Sequence, residues 1–338
     1  MGATVGYPDA VEFLPDPPET GLNPFPSPAQ GLDWSNDDHY GNSTMFSTEC
    51  IHTLRELTPN QGENDARYEG LMLIRADAPT ERKAIIYQPV FYIVIQGQKQ
   101  SFLGNEVFQY DPGRFLALTV PLPMEGMVTV ATADEPYLAI KLAVDSGTVL
   151  SLLRELPDLE PAKETNRGTS RGVCVCPVAA EMVAAVERLV ASLTDSHKRR
   201  VLTPMIIREI LFYGLQSPKG EQLAAFVTRD RHHARIADVL RHIQTHFSEP
   251  LDINALADIA SMSQSSLHQH FKAVTNASPL QYIKAIRLHR AQHLLSDSQL
   301  SVSEAAWQVG YQSLSQFSRE YKRLFGDVPS RVVGSVLN

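Results

Sequence analysis

The chain has 338 residues, 43% of them hydrophobic and 20% charged, and at roughly 100 to 200 residues per domain this length holds two or three folded units. Whole-chain disorder is excluded by that composition; no apolar run is long enough to span a membrane and the first residues lack the pattern of a secretory signal, so the expected setting is cytoplasmic with no membrane partner. The net charge of −8 is unevenly spread: residues 1–228 hold 18 Lys+Arg against 29 Asp+Glu, a net of −11, whereas residues 229–338 hold 12 against 9, a net of +3.

Residues 1–40 carry seven prolines and no apolar periodicity, which predicts a disordered arm over 1–45. A short helix follows over 48–57, with Ile51, Leu54 and Leu57 on one face. Short β-rich runs then occupy 71–74, 84–87, 90–95, 100–103, 107–110, 114–118, 127–131 and 137–144, broken at Gln96-Gly97, Gly104-Asn105, Asp111-Pro112-Gly113 and Asp134-Glu135-Pro136. Such turn chemistry between closely spaced strands predicts a small barrel or jelly roll over 46–147. Its aromatic residues Tyr92, Phe102, Phe108, Tyr110, Phe115 and Tyr137 are candidates for an effector pocket, although alternating apolar residues in a barrel are more often plain core.

The period then changes. Residues 148–228 read as a helical segment, with apolar stripes in 179–193 and 201–215. Met182, Val186, Leu189 and Leu193 lie on the first stripe, and Met205, Ile206 and Ile210 on the second. Adjacent amphipathic helices most often cover a core; a self-association face is the sharper alternative.

Residues 229–338 read as helix after helix and contain a near-repeat. A shift of 50 residues pairs Ser263 with Ser313, Ser265 with Ser315, Leu267 with Phe317, Gln269 with Arg319, Phe271 with Tyr321, Lys272 with Lys322 and Pro279 with Pro329. Upstream the shift is 49, pairing Ala257 with Ala306 and Ser261 with Gly310. Each unit has what a helix-turn-helix needs: a small residue at the helix crossing, a tight turn, and a Ser placed to cap the second helix. Opposite the buried stripe the first unit offers Ser265, His268, Gln269 and Lys272, and the second Ser315, Ser318, Arg319 and Lys322. Gln suits adenine and Arg suits guanine in the major groove, while Lys suits phosphate. A helix over 280–295 would join the units; its Lys284, Arg287 and His289 could touch phosphates, though such charges are more often only solvated.

The run ADIASMSQSSLHQHFK (257–272), with SPLQYI (278–283), Arg287-Leu288, AQHLL (291–295), GYQSLSQFSR (310–319) and KRLFG (322–326), resembles the AraC/XylS family of bacterial transcription regulators. The resemblance implies a double helix-turn-helix domain over 229–338 that binds promoter DNA. Its base-reading positions would be Ser265, His268, Gln269, Ser315, Gln316 and Arg319, with phosphate contacts from Ser263, Lys272, Ser313 and Lys322. Asn276 departs from the family's usual Gly after the first recognition helix, and Asn tolerates the left-handed conformation needed there. More weakly, QGQK (96–99), YDPG (110–113) and PLP (121–123) are similar to the cupin-like sensors many members carry. The implied fold is α+β and multidomain: a cupin-like barrel, a helical dimerisation segment in which residues 178–215 pair as a homodimer, and the all-α DNA-binding domain. RNA polymerase and a small-molecule effector are the further partners this allows.

A cupin barrel can instead be an enzyme. Against that, no histidine lies between His52 and His197, so the barrel lacks the imidazoles a catalytic metal normally uses, and the expectation is no metal, no cofactor and no enzymatic activity. A regulator controlled by its own level or by a protein partner is the other alternative. Cys174 and Cys176 have the wrong spacing for a redox or zinc motif, and inert structural thiols are the favoured reading over a redox-sensitive pair.

Overall fold

The computed structural model describes residues 45–156, 172–225, 232–297 and 300–331. All but the last residue of the expected arm therefore lies outside the described residues. Helix α1 (Thr48–Leu57) leads into nine strands: β1 (Gly62–Asp65), β2 (Leu71–Ala76), β3 (Lys83–Tyr87), β4 (Val90–Gln96), β5 (Gln98–Leu103), β6 (Glu106–Tyr110), β7 (Arg114–Leu118), β8 (Leu122–Val130) and β9 (Tyr137–Ala143). Then come α2 (Ser146–Glu155), β10 (Val173–Pro177), α3 (Ala180–Ser192), α4 (Ser196–Val201), α5 (Thr203–Gln216) and α6 (Gly220–Ala225). The C-terminal helices are α7 (His232–His246), α8 (Ile253–Ile259), α9 (Gln264–Thr275), α10 (Pro279–Asp297), α11 (Val302–Gln308) and α12 (Leu314–Phe325).

The strands form two antiparallel sheets, ordered β1-β2-β9-β4-β7-β10 and β3-β8-β5-β6. Side chains alternate across each strand, and β2, β9, β4, β7 and β10 of the larger sheet bury apolar residues on both faces. From β4, Val90, Tyr92 and Val94 enter the barrel interior, while Phe91, Ile93 and Ile95 meet the helical layer. That two-sided burial is why β4 is an unbroken apolar run.

All eight sequence-predicted strands are present. Two were missed. The chain Gly62-Glu-Asn-Asp65 of β1 has no apolar alternation, and β10 is a five-residue strand inside the stretch expected to be helical. Residues 148–228 are thus not a purely helical linker, because β10 returns to pair with β7 and completes the larger sheet. It also sets Cys174 and Cys176 on one face, their Sγ atoms 3.6 Å apart and buried against the helical layer.

The expected dimerisation face needs correction. Met182, Val186, Leu189, Leu193, Ile206 and Ile210 are all buried in this chain's own core, packed with Phe91, Ile93, Phe115 and Leu138 of the larger sheet. Of the seven residues only Met205 is exposed, at 65%, with Val201 and Leu202 beside it. The stripe covers the sheet's outer face together with Cys50 and Leu54 of α1 and Val149 and Leu152 of α2. Ile210→Ala should therefore cost about 2–5 kcal/mol and Met205→Ala no more than about 0.5 kcal/mol. Urea unfolding of the two variants checks this.

The barrel interior continues into the C-terminal domain. Its apolar cluster includes Ile236, Val239, Leu267, Phe271, Val274 and Tyr282 together with Leu118, Leu122 and Val173. Across the junction Tyr282 Oη donates to Pro121 O at 2.9 Å, Asn276 Nδ2 to Leu103 O at 3.2 Å and Gly172 N to Val274 O at 3.1 Å.

Candidate nucleic-acid interface

The two units fold alike in detail. In the first, Met262 N donates to Ala257 O at 3.0 Å; in the second, Tyr311 N donates to Ala306 O at the same 3.0 Å. Ala257 and Ala306 are buried at the crossings. The turn needs a positive φ, supplied by Ser261 (49°) and by Gly310 (88°). Only glycine fits at Gly310, because a Cβ there would stand 2.4 Å from Ser248 O. Ser263 and Ser313 each cap the helix that follows, accepting from Ser266 N and Gln316 N at 3.3 Å. Asn276 adopts the left-handed conformation, φ 60°, and ends α9 as Gly326, φ 79°, ends α12.

Leu267, Phe271 and Val274 are buried beneath α9, and Phe317 and Tyr321 beneath α12. The opposite faces are open: Ser265, His268, Gln269 and Lys272 in the first unit and Ser315, Arg319 and Lys322 in the second are exposed, with Ser263 exposed and Ser313 half-buried at the caps. Gln316 is half-buried and its Nε2 donates to Glu320 Oε1 at 3.2 Å. The Ser313 and Ser315 hydroxyls lie 3.0 Å apart.

What sequence reasoning missed is the frame that holds these faces. Glu320 is buried on α12 and accepts from Tyr311 Oη at 2.7 Å and from Lys284 Nζ of α10 at 2.8 Å, besides Gln316. Arg287, also on α10, donates to the carbonyls of Phe247 (2.6 Å), Glu249 (2.9 Å) and Gly310 (3.2 Å), gathering the end of α7 and the second turn onto one helix. His289 is buried edge-on to Phe325 at 5.3 Å, and burial followed by the nearby His293 lowers its pKa to about 4, so it stays neutral. Lys284, Arg287 and His289 are therefore bonded or buried within the domain rather than placed to touch phosphate. Nothing in the sequence separates an acid inside such a frame from one on a solvated face; the nearest signal is a lone Glu among the basic residues of α12.

Among the aromatic residues expected to line a pocket, Tyr92, Tyr110 and Tyr137 are buried in the barrel interior, and Phe108 is half-buried against the same cluster. Phe102 and Phe115 are corrections. Phe115 alternates with Leu116 and so faces the helical layer, 5.1 Å from Phe91; Phe102 lies on the outer face of β5 with the Arg82 guanidinium 3.8 Å over its ring. Among the described residues no group of three or more His, Cys, Asp or Glu could hold a metal ion, and no helix is long and apolar enough to cross a membrane.

Burial raises the Glu320 pKa, but the bonds from Lys284, Tyr311 and Gln316 outweigh it and hold the carboxyl below its ordinary value of 4.5. The folded state thus binds the proton less readily than the unfolded chain, and the contribution is present above the ordinary carboxylate range and lost as pH falls through the depressed folded value. Glu320→Gln should be less stable than the parent near neutral pH, with the gap narrowing toward about pH 3; chemical denaturation at both values checks this.

Two family models match the chain. The one described as the AraC-type transcriptional regulator N-terminus covers residues 67–222, and the helix-turn-helix domain covers residues 256–334. Among curated proteins, the HTH-type transcriptional activator RhaS of Escherichia coli (O1:K1 and HS strains among others) is 30% identical over 149 residues, 43% of this chain. The match spans about half the length of these relatives, 51%. Among solved structures, ToxT from Vibrio cholerae aligns with a TM-score of 0.52 at 11% identity, over 79% of this chain and 98% of its own. ToxT of strain SCE256 bound to an unsaturated fatty acid aligns with a TM-score of 0.50 at 11% identity, over 78% and 93%. At that identity the likeness is one of fold: a β-rich N-terminal domain followed by a helical one. The N-terminal module of AraC-type transcriptional regulators and a helix-turn-helix domain are thus matched in one chain, the two parts that the resemblance to the AraC/XylS family implies.

Proposed function

We propose that the protein is a sequence-specific DNA-binding transcription regulator, and that each chain reads two successive major grooves of a promoter with α9 and α12. The observation that carries this reading is the pair of capped helices with matching turns, each with one face buried and the other open and hydrogen-bonding. Two such helices on one frame suit grooves about 34 Å apart. Ser265, His268 and Gln269, with Ser315, Gln316 and Arg319, are the proposed base readers; Gln316 would have to leave Glu320 to take part. Ser263, Lys272, Ser313 and Lys322 are the proposed phosphate contacts.

The proposal includes a homodimer. Because the inner faces of α3 and α5 are core, its surface is assigned to Val201, Leu202 and Met205, which are 59%, 42% and 65% exposed. A small-molecule effector in the barrel would act on the DNA-binding domain through the shared apolar cluster. RNA polymerase enters as the partner that any activator needs, and catalysis has no part in the reading.

Gel shifts on a promoter fragment selected from the genome test it. Gln269→Ala and Arg319→Ala should each weaken specific binding by about 1–3 kcal/mol, whereas Lys272→Ala should weaken specific and nonspecific DNA alike and lower the salt slope by about one. Specific binding unchanged by both of the first two would remove these helices as readers. Met205→Glu should keep the fold and yield monomers in sedimentation; a dimer that survives it lies elsewhere.

A further inference from the structure

The inward face of β5 carries a charge in the barrel core. Lys99 is 8% exposed. Its Nζ donates to Tyr92 Oη at 3.2 Å and lies 4.3 Å from the centre of the Tyr92 ring and 5.5 Å from that of Tyr87. One inward position further on, Ser101 Oγ is 3.2 Å from Tyr87 Oη and 3.0 Å from Tyr110 Oη. The Tyr137 hydroxyl is buried in the same interior and has no hydrogen-bond partner among the described residues. Where β8 passes this cluster it has Gly126; a Cβ there would come within 2.5 Å of Tyr87 Oη and 3.4 Å of Lys99 Cε.

A buried ammonium is costly unless an anion and hydrogen bonds satisfy it. Here it has one hydroxyl and two aromatic faces. Among the described residues no carboxylate pairs with it: in the surrounding strands Glu125 is taken by Arg82 and Glu63 by Lys141. Burial pushes the lysine pKa down, while the neighbouring Tyr110, Tyr87 and Tyr92 and the hydrogen bond to Tyr92 push it up, above its ordinary value. The surrounding groups are hydroxyls, each able to donate to an oxyanion. A cation ringed by hydroxyls and matched by no carboxylate is a donor set that recognises an organic acid.

We infer that the barrel binds a small carboxylate, its charge met by Lys99 and its oxygens by the hydroxyls of Tyr92, Ser101 and Tyr137. This rests on the reading of the barrel as the effector domain and names the chemical class of its ligand. The acid must be small, because the Tyr92 ring centre lies 5.7 Å from that of Tyr110 and 6.5 Å from that of Tyr87. The purely structural alternative makes the opposite prediction for removal of the charge, since an unpaired buried cation opposes folding whereas a structural one supports it.

Thermal melts of the full chain test this, with formate, acetate and pyruvate as probes and formamide, acetamide and pyruvamide as neutral controls. Wild type should melt higher with at least one acid and not with its amide. Lys99→Met should melt no lower than wild type without ligand and should lose the response. A clear drop in the melting temperature of Lys99→Met, or no shift of wild type with any of the acids, would overturn the inference. Amides acting as well as acids would also overturn it while leaving the barrel an effector domain. Promoter binding, measured separately by gel shift, reports on the regulator reading: its loss would sink that reading whatever the melts show.

Discussion

The arrangement of the DNA-binding domain depends on how α10 is held. Its 19 residues span about 28 Å, and two of its side chains fix what lies at either side. Arg287 binds three backbone carbonyls at the end of α7 and at the second turn, and Lys284 reaches the buried carboxylate of Glu320 on α12. A part-buried ion pair of this kind is modest in net stability, because desolvation takes back much of what the bonds to Glu320 supply. What it supplies is geometry: Glu320 also takes the Tyr311 hydroxyl and the Gln316 amide, so the orientation of α12 on α10 is overdetermined. In the proposed reading both recognition helices are carried by α10, and this network fixes α12 on it.

The larger sheet of the barrel is the second organising constraint. Buried on both faces, it must have a helical layer on one side and a second sheet on the other, which accounts for both apolar clusters from a single set of strands. The same requirement buries the stripe of α3 and, in α5, Ile206 and Ile210, leaving Met205 at the surface. The interior cluster then runs past the barrel into Val274 and Tyr282 at the base of the first helix-turn-helix unit. A change in packing inside the barrel thereby meets the reading domain through contiguous side chains rather than through a flexible tether.

Local rules made much of this legible in the sequence. Strands bounded by Gly and Pro, helices with Ser caps, and a repeat whose offset changes by one residue at the turn all follow from backbone chemistry, which is why Ser263, Ser313 and Asn276 fall where expected. What escaped was whatever depends on partners distant in the chain. Val173-Cys-Val-Cys-Pro177 has no strand signal strong enough to outweigh its surroundings until β7 pairs with it. Phe102 and Phe115 read as pocket residues until strand register assigns them to other faces. The apolar stripe through Ile210 looks the same whether it meets a sheet or another chain, and Lys99 and Glu320 look like surface charges because sequence carries no burial for an isolated polar residue.

In the proposed reading one chain presents two readers at a fixed spacing of one DNA turn. Hydroxyl-radical footprinting of the full-length protein on a bound promoter measures it directly. Two protected patches per chain are expected on one face of the duplex, about 10 base pairs apart, with Arg319→Ala weakening the patch read by α12. A single patch per chain, or two whose separation varies from one promoter to the next, would contradict it.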